Sequence, residues 1–221
     1  MLAEGETPLA AVVVNPLHHT NSTAITDWAM RKPGASLHLL QRYTTQYWSA
    51  LCRAGTSVSV GASATDEELL AAIERRHTRA RTLVVAPLVS RHFDFLDGLV
   101  CAGALPLAPR VLKAAHAVDD LSTHAPPNGC PVTGGLPLAP HVLKAALTKT
   151  TLLLGSAPVG PTTVARLTKY AGRLPTVRFG STETCLQVLG TPVHLGEDEL
   201  RRAFEAGWRH SYSGQPQVGS P

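Results

Sequence analysis

The sequence predicts an α/β fold, a parallel-rich sheet flanked by helices. Short apolar runs, each closed by Pro or Gly, alternate with stretches of helical period. Strand–helix–strand successions with short connections occur twice, over 55–87 and over 151–179. Two parallel strands need such a crossover between them, and the helices then cover the sheet. The chain has 221 residues, 44% hydrophobic and 16% charged. That is enough for a core without disulfide staples and too apolar for a disordered tail.

The elements follow in chain order. Leu9 to Val14, ending at Asn15-Pro16, reads as a buried strand arriving at a loop. Gly55 to Val60 reads as a short strand. Thr65-Asp66-Glu67-Glu68 is a capping box, with Thr65 as N-cap, opening a helix to about Arg76 whose inner face is Leu69, Leu70, Ala72 and Ile73. Thr82 to Ala86 is the next strand, expected to stop at Pro87. Thr151 to Leu154 is a strand that enters Gly155-Ser156-Ala157-Pro158. Pro161 suits the first turn of a helix running to Ala171, with Gly172 as its stop. Pro175 to Phe179 is a strand leading into a Gly-Ser-Thr-Glu turn. Glu197 to Ala206 is a helix with Gly207 expected to end it, and from Ser211 onward the residues are those of turns.

Composition excludes several classes. Aromatics are only 5%, which argues against a stacking platform for nucleic acid. The net charge of +4 is spread along the chain, with one dense run from Glu74 to Arg81. That run is expected to be the solvated end of a helix, its cations offsetting the helix dipole. The alternative is a patch for nucleic acid or an anionic membrane. Four cysteines, at 52, 101, 130 and 185, form no C-x-x-C pair and read as reduced thiols. No apolar run reaches the ~20 residues of a membrane helix, and Met1 to Glu6 lacks the basic start of a signal peptide. The expected protein is cytoplasmic, with no membrane span and no nucleic-acid partner; its oligomeric state stays open.

One segment occurs twice. Pro106 to Ala115 returns as Pro137 to Ala146 with nine of ten residues identical, within a duplicated stretch 104–118 and 135–149 around a loop-like insert, 119–135. A solenoid needs three or more diverged copies. Two near-identical copies indicate a recent duplication of one helix-forming segment or an artefact of how the coding sequence was assembled, and both cannot easily fill one structural slot.

Two turns carry the chemistry. Gly155-Ser156-Ala157-Pro158 and Phe179-Gly180-Ser181-Thr182-Glu183 each follow a predicted parallel strand. Ligands of open α/β sheets bind outside the carboxyl ends of the strands. Glycine lets a backbone approach a flat base, and Phe179 can stack on it. Thr182 offers a hydroxyl to a phosphate and Glu183 a hard oxygen to Mg²⁺. His18-His19 with His92 matches no zinc spacing, and no G-x-S-x-G elbow, Walker loop or complete G-x-G-x-x-G is present.

Taken together and in this order, the two turns resemble those of the adenylate-forming (AMP-dependent synthetase and ligase) superfamily, which includes the acyl-CoA synthetases. Asn15-Pro16-Leu17-His18-His19 is similar to the family's Pro-Leu-x-His segment. The stretch 55–87 resembles its strand, helix, strand and Pro, and Tyr212 to Pro216 its later Gly-x-Pro turn. The resemblance spans nearly the whole chain, as the middle of the large N-terminal domain, so residues 1–221 are expected to be a partial AMP-binding domain. It implies ATP-dependent activation of a small carboxylic acid as an acyl-adenylate, with a thiol such as coenzyme A as acceptor. It implies that Gly155, Ser156, Ala157 and Pro158 line the adenine and acyl sites and that Phe179, with Gly180 and Ser181 beside it, stacks on adenine. Thr182 would touch the α-phosphate, Glu183 would hold Mg²⁺, and His19 would shape the acyl channel. The family's phosphate loop and adenylating Lys have no counterpart among these residues; the five Lys stand at 32, 113, 144, 149 and 169. Turnover by this chain is therefore expected to be impaired. The alternative is a non-catalytic binding protein, or an incomplete gene product, retaining part of the nucleotide site.

Overall fold

A computed structural model describes residues 7–59, 63–101, 138–157, 159–181, 183, 186–192 and 194–210. They form a six-stranded sheet in the order β2-β1-β3-β4-β5-β6. Its strands are β1 (Leu9–Val13), β2 (Ser36–Leu39), β3 (Leu83–Leu88), β4 (Thr150–Leu154), β5 (Thr176–Ser181) and β6 (Leu186–Gly190). The helices are α1 (Thr20–Arg31), α2 (Gln46–Arg53), α3 (Asp66–Thr78), α4 (Ser90–Cys101), α5 (Pro140–Thr148), α6 (Pro161–Ala171) and α7 (Glu197–His210). The first five strands pair in parallel and β6 runs antiparallel to β5. The expected α/β class, a parallel-rich sheet flanked by helices, is the one observed.

Strand order decides which face each helix covers. The chain steps from β1 to β2 in one direction, then from β2 past β1 to β3, β4 and β5 in the other. Crossovers of one hand must change face when the direction of travel reverses. Accordingly Ala10, Val12, Val84, Ala86, Leu152 and Leu154 point into a large core with α2, α3, α5 and α6. The alternate residues Leu9, Ala11, Val13, Val85 and Leu153 meet α1 through Ile25 and Ala29. Both faces of β1 are buried, which is why its run is apolar without alternation.

Local rules account for most boundaries. Thr65 caps α3 as expected: its hydroxyl accepts from Glu68 N at 3.2 Å, and the Glu68 carboxylate accepts from Thr65 N at 2.8 Å. α6 begins at Pro161 and stops at Gly172, whose φ of 70° is the left-handed conformation that glycine tolerates. The second copy of the duplicated segment forms α5, with Val142, Leu143, Ala146 and Leu147 inside the large core. The first copy and the insert lie outside the described residues.

Four expectations are corrected. Residues 55–59 form no strand and residue 60 lies outside the described set. Ala54 and Gly55 instead close α2, and Thr56 N and its hydroxyl both donate to Arg53 O. The driving force is α2 itself, buried from Tyr47 through Arg53. Pro87 does not stop β3, which continues through it to Leu88. Leu83 N donates to Pro8 O at 2.8 Å, and counting on by twos puts the missing Pro87 amide opposite Val12 O. That carbonyl faces the Tyr47 hydroxyl at 3.5 Å instead, beyond the last pair of the β1–β3 ladder. Gly207 does not end α7, which reaches His210; a helical Gly costs only about 1 kcal/mol. The cations of 74–81 are not all solvated. Arg76 is 2% exposed and donates through one nitrogen to the carbonyls of Leu51, Cys52 and Ala54 at the end of α2.

Candidate functional site

Three connections meet at the carboxyl edge of the sheet. Asn15 follows β1 and donates through Nδ2 to Pro87 O at 3.3 Å, tying the β1–α1 loop to β3. His19 N donates to Pro16 O at 3.0 Å, closing a turn that leaves His19 as the N-cap of α1. From β4, Gly155 N donates to Leu88 O at 3.2 Å, so the glycine is held as an extension of the sheet. A Cβ there would stand 3.0 Å from Arg178 O and 3.6 Å from Asn21 Nδ2. Only glycine leaves that space open. Ser156 follows with φ of 63°, an uncommon left-handed conformation for a residue with a side chain.

A cavity of about 340 Å³ lies between these connections, in the size range of small-ligand sites. Gly155 and Ser156 form one side, Phe179 and Gly180 another, and Thr20, Asn21 and Ala24 of α1 a third, with Arg178 among them. Phe179 is 45% exposed, unusual for a large aromatic and available for stacking. A β-bulge between Phe179 and Gly180 breaks the alternation of β5, which lets neighbouring residues serve one cavity.

Of the residues singled out from sequence, Gly155, Ser156, Phe179 and Gly180 therefore converge on one cavity. Ala157 follows in the turn, half-buried, and Ser181 ends β5. His19 is exposed beside His18, their ring centroids 4.6 Å apart, and does not line the cavity, although its neighbour Thr20 does. Pro158 and Thr182 lie outside the described residues. Glu183 is exposed, and its carboxyl is held below the usual carboxylate range by its own backbone amide and by the Ser181 hydroxyl. A charged carboxylate of this kind fits Mg²⁺, which commonly takes one or two carboxylates and completes its shell with water and substrate phosphates. His92 is buried, and its Nδ1 accepts from Val89 N at 3.2 Å. Among the described residues no group of three or more His, Cys, Asp or Glu is placed to hold a metal ion.

Arg178 and Asn21 were not singled out from sequence. Arg178 Nη2 donates to both the side-chain and backbone oxygens of Asn21, and burial holds the guanidinium below its usual pKa. Its Nε and the Nδ2 of Asn21 are buried without a hydrogen-bond partner among the described residues, and Asn21 is only 6% exposed. These donors sit where the amino end of α1 already favours negative charge. The one sequence signal was an arginine interrupting the apolar run Val177-Arg178-Phe179. Glycine for close approach, a ring for stacking and unpaired donors for an anion make a site able to hold a flat base joined to a phosphate or carboxylate.

An open α/β sheet with a cavity at its carboxyl edge is the class these observations define. No protein-family model matches the sequence, and no curated protein matches it significantly. Among solved structures, ATP-bound MatB from Rhodopseudomonas palustris is similar over 87% of this chain and 24% of its own, at 14% identity and a TM-score of 0.41. The ATP-bound RpMatB-BxBclM chimera B1 is similar over 86% of this chain and 24% of its own, at 14% identity and a TM-score of 0.42. A malonyl-CoA ligase with methylmalonyl-CoA and AMP bound is similar over 84% of this chain and 26% of its own, at 16% identity and a TM-score of 0.41. The chain thus spans about a quarter of the length of the solved structures it matches.

Proposed function

We propose that this chain carries one wall of the nucleotide site of an adenylate-forming enzyme, which activates a small carboxylic acid with ATP as an acyl-adenylate for transfer to a thiol such as coenzyme A. The observation that carries this reading is the convergence of the Gly155-Ser156 and Phe179-Gly180 turns on one 340 Å³ cavity. These turns, 24 residues apart in sequence, are the two that resemble the superfamily's paired motifs. In this reading Phe179 stacks on the adenine, and the glycines and Ala157 let the base lie against backbone. Asn21 and Arg178 place donors toward the acid or the phosphate joined to it. By the resemblance, Thr182 would touch the α-phosphate and Pro158 would help line the adenine and acyl sites. Glu183 would hold Mg²⁺, which when bound supplies charge neutralisation at the phosphates. His19 borders the entry of the acyl group.

The test is equilibrium binding of MgATP to the purified chain. Stacking of a base on an aromatic side chain is worth about 1–3 kcal/mol, so Phe179→Ala is expected to weaken binding by about tenfold. Glu183→Ala is expected to abolish the dependence of affinity on Mg²⁺. Unchanged affinity in both variants, or no saturable binding, overturns the reading. Binding without formation of acyl-adenylate would assign the chain a binding role.

A further inference from the structure

The opposite edge of the sheet gathers the cations that the nucleotide cavity leaves unused. There the amino ends of β1, β3 and β4 lie side by side, with Leu83 N donating to Pro8 O and Val84 in register with Thr150. A second cavity, of about 470 Å³, opens at this edge. Its polar lining comes from separate stretches of chain, with His77 in the last turn of α3 and Arg81 beyond it, Lys149 after α5, Arg173 after α6, and the hydroxyl residues Thr7 and Thr82. No Asp or Glu lines it among the described residues. Lys149 pairs with Glu74, whereas Arg81 and Arg173 have no carboxylate partner among the described residues.

Cations at helix carboxyl ends offset the dipole, yet neither Arg81 nor Arg173 donates to a helix carbonyl among the described residues. α3, α5 and α6 all end at this edge, but the carbonyls of Arg75, Arg76 and Thr168 already accept from the amides of Arg79 and Ala80, Thr82, and Gly172. Arg81 lies three residues beyond α3, with φ of 49°, a left-handed conformation that is strained for a residue with a side chain. The bonds from Thr82 N to Arg76 O at 2.7 Å and from Leu83 N to Pro8 O hold the chain in it. Arg173 lines the cavity, and its Nη2 is buried without a hydrogen-bond partner among the described residues, so a small rotation of the guanidinium would bring that unsatisfied donor to a ligand oxygen.

We infer that this cavity binds the phosphate dianion of a small molecule, either free phosphate or a phosphate monoester, at a site separate from the nucleotide wall. Two guanidinium forks give the paired parallel donors that phosphate oxygens take. Lys149 adds a point charge, and the threonine hydroxyls can donate to the remaining oxygens.

The test is calorimetric titration of the full chain with inorganic phosphate and, in a parallel arm, with phenyl phosphate. Saturable binding at one site is expected. Arg173→Met and Arg81→Gly should each weaken it by about tenfold or more, the range for hydrogen bonds to a charged group. Arg201→Met, on α7 and paired with Glu197 away from both cavities, should leave it within about twofold. Arg81→Gly relieves the backbone strain, so its melting temperature should match or exceed that of the parent, which separates lost affinity from lost folding. Tighter binding of phenyl phosphate assigns a monoester, and equal or tighter binding of inorganic phosphate assigns the free ion. Absence of saturable binding overturns the inference. So does affinity that survives both Arg81→Gly and Arg173→Met, or that falls as far with Arg201→Met.

Discussion

The two faces of the sheet are built on different terms. One is covered by α2, α3, α5 and α6, which bury Trp48, Leu51, Ile73, Leu143, Leu147 and Leu167 against the strands. The other carries α1, whose inward face holds Ile25 and Ala29 but also Asn21, Ser22 and Thr26. Asn21 Nδ2 and the Ser22 and Thr26 hydroxyls are buried there without hydrogen-bond partners among the described residues. Burial of a large aliphatic side chain is worth about 1.5–3 kcal/mol, whereas an unpaired buried polar group costs about 1–3 kcal/mol. The crowded face supplies stability, and the sparse face gives up some of it while supplying Asn21 to the cavity.

Removing a core side chain from the crowded face breaks this contrast most directly. Leu147→Ala should cost about 2–5 kcal/mol in chemical denaturation, because Leu147 is wholly buried where α5 enters the core. A loss below 1 kcal/mol would mean that α5 is not central to that face.

The next effect is a pH dependence on the same face. Burial pushes His92 down to about 4, and its Nδ1 can accept from Val89 N only while unprotonated. In the unfolded chain a histidine titrates near 6.5. Between those values the unfolded state binds the extra proton, so stability rises with pH across the window and is lost as pH falls from about 6.5 to 4. The total is about 3 kcal/mol by linkage. Denaturation curves from pH 4 to 7 should show it, and His92→Gln, which keeps an acceptor, should remove it. An identical slope in the variant would assign the dependence to other groups.

The smallest effect has the opposite sign. Thr26→Val on α1 removes a buried hydroxyl that has no partner while keeping its shape. Stability should stay level or rise by up to about 1 kcal/mol. A clear loss would show that the hydroxyl is satisfied and that the sparse face is as well paired as the crowded one.

Legibility followed the range of the forces involved. The α3 capping box and the Pro161–Gly172 frame of α6 were readable because each is decided within a few residues, by hydrogen bonds or a single φ. The segment 16–59 was not. α1 carries Asn, Ser and Thr on its buried side, and α2 buries nearly every residue, so neither shows a clean apolar stripe. The strand expected at 55–60 failed for the same reason, since β-branched residues there yield to the closing turn of a buried helix. In the candidate site, Gly155 and Phe179 were legible from turn chemistry. Arg178 and Asn21, 157 positions apart, became partners only when β5 and α1 met.

By itself the sequence determined the α/β class, the local starts and stops of α3 and α6, and two Gly-containing turns after strands. All of these follow from periodicity, capping and backbone conformation, which act between near neighbours. Tertiary structure alone decided that α1 would cover one face and most of the other helices the second, because that depends on strand order. It also decided that β3 could pass through Pro87, where β1 pairing has already ended. The two cavities at opposite edges are likewise tertiary, since each draws its lining from stretches that are distant in the chain and adjacent only across a parallel sheet.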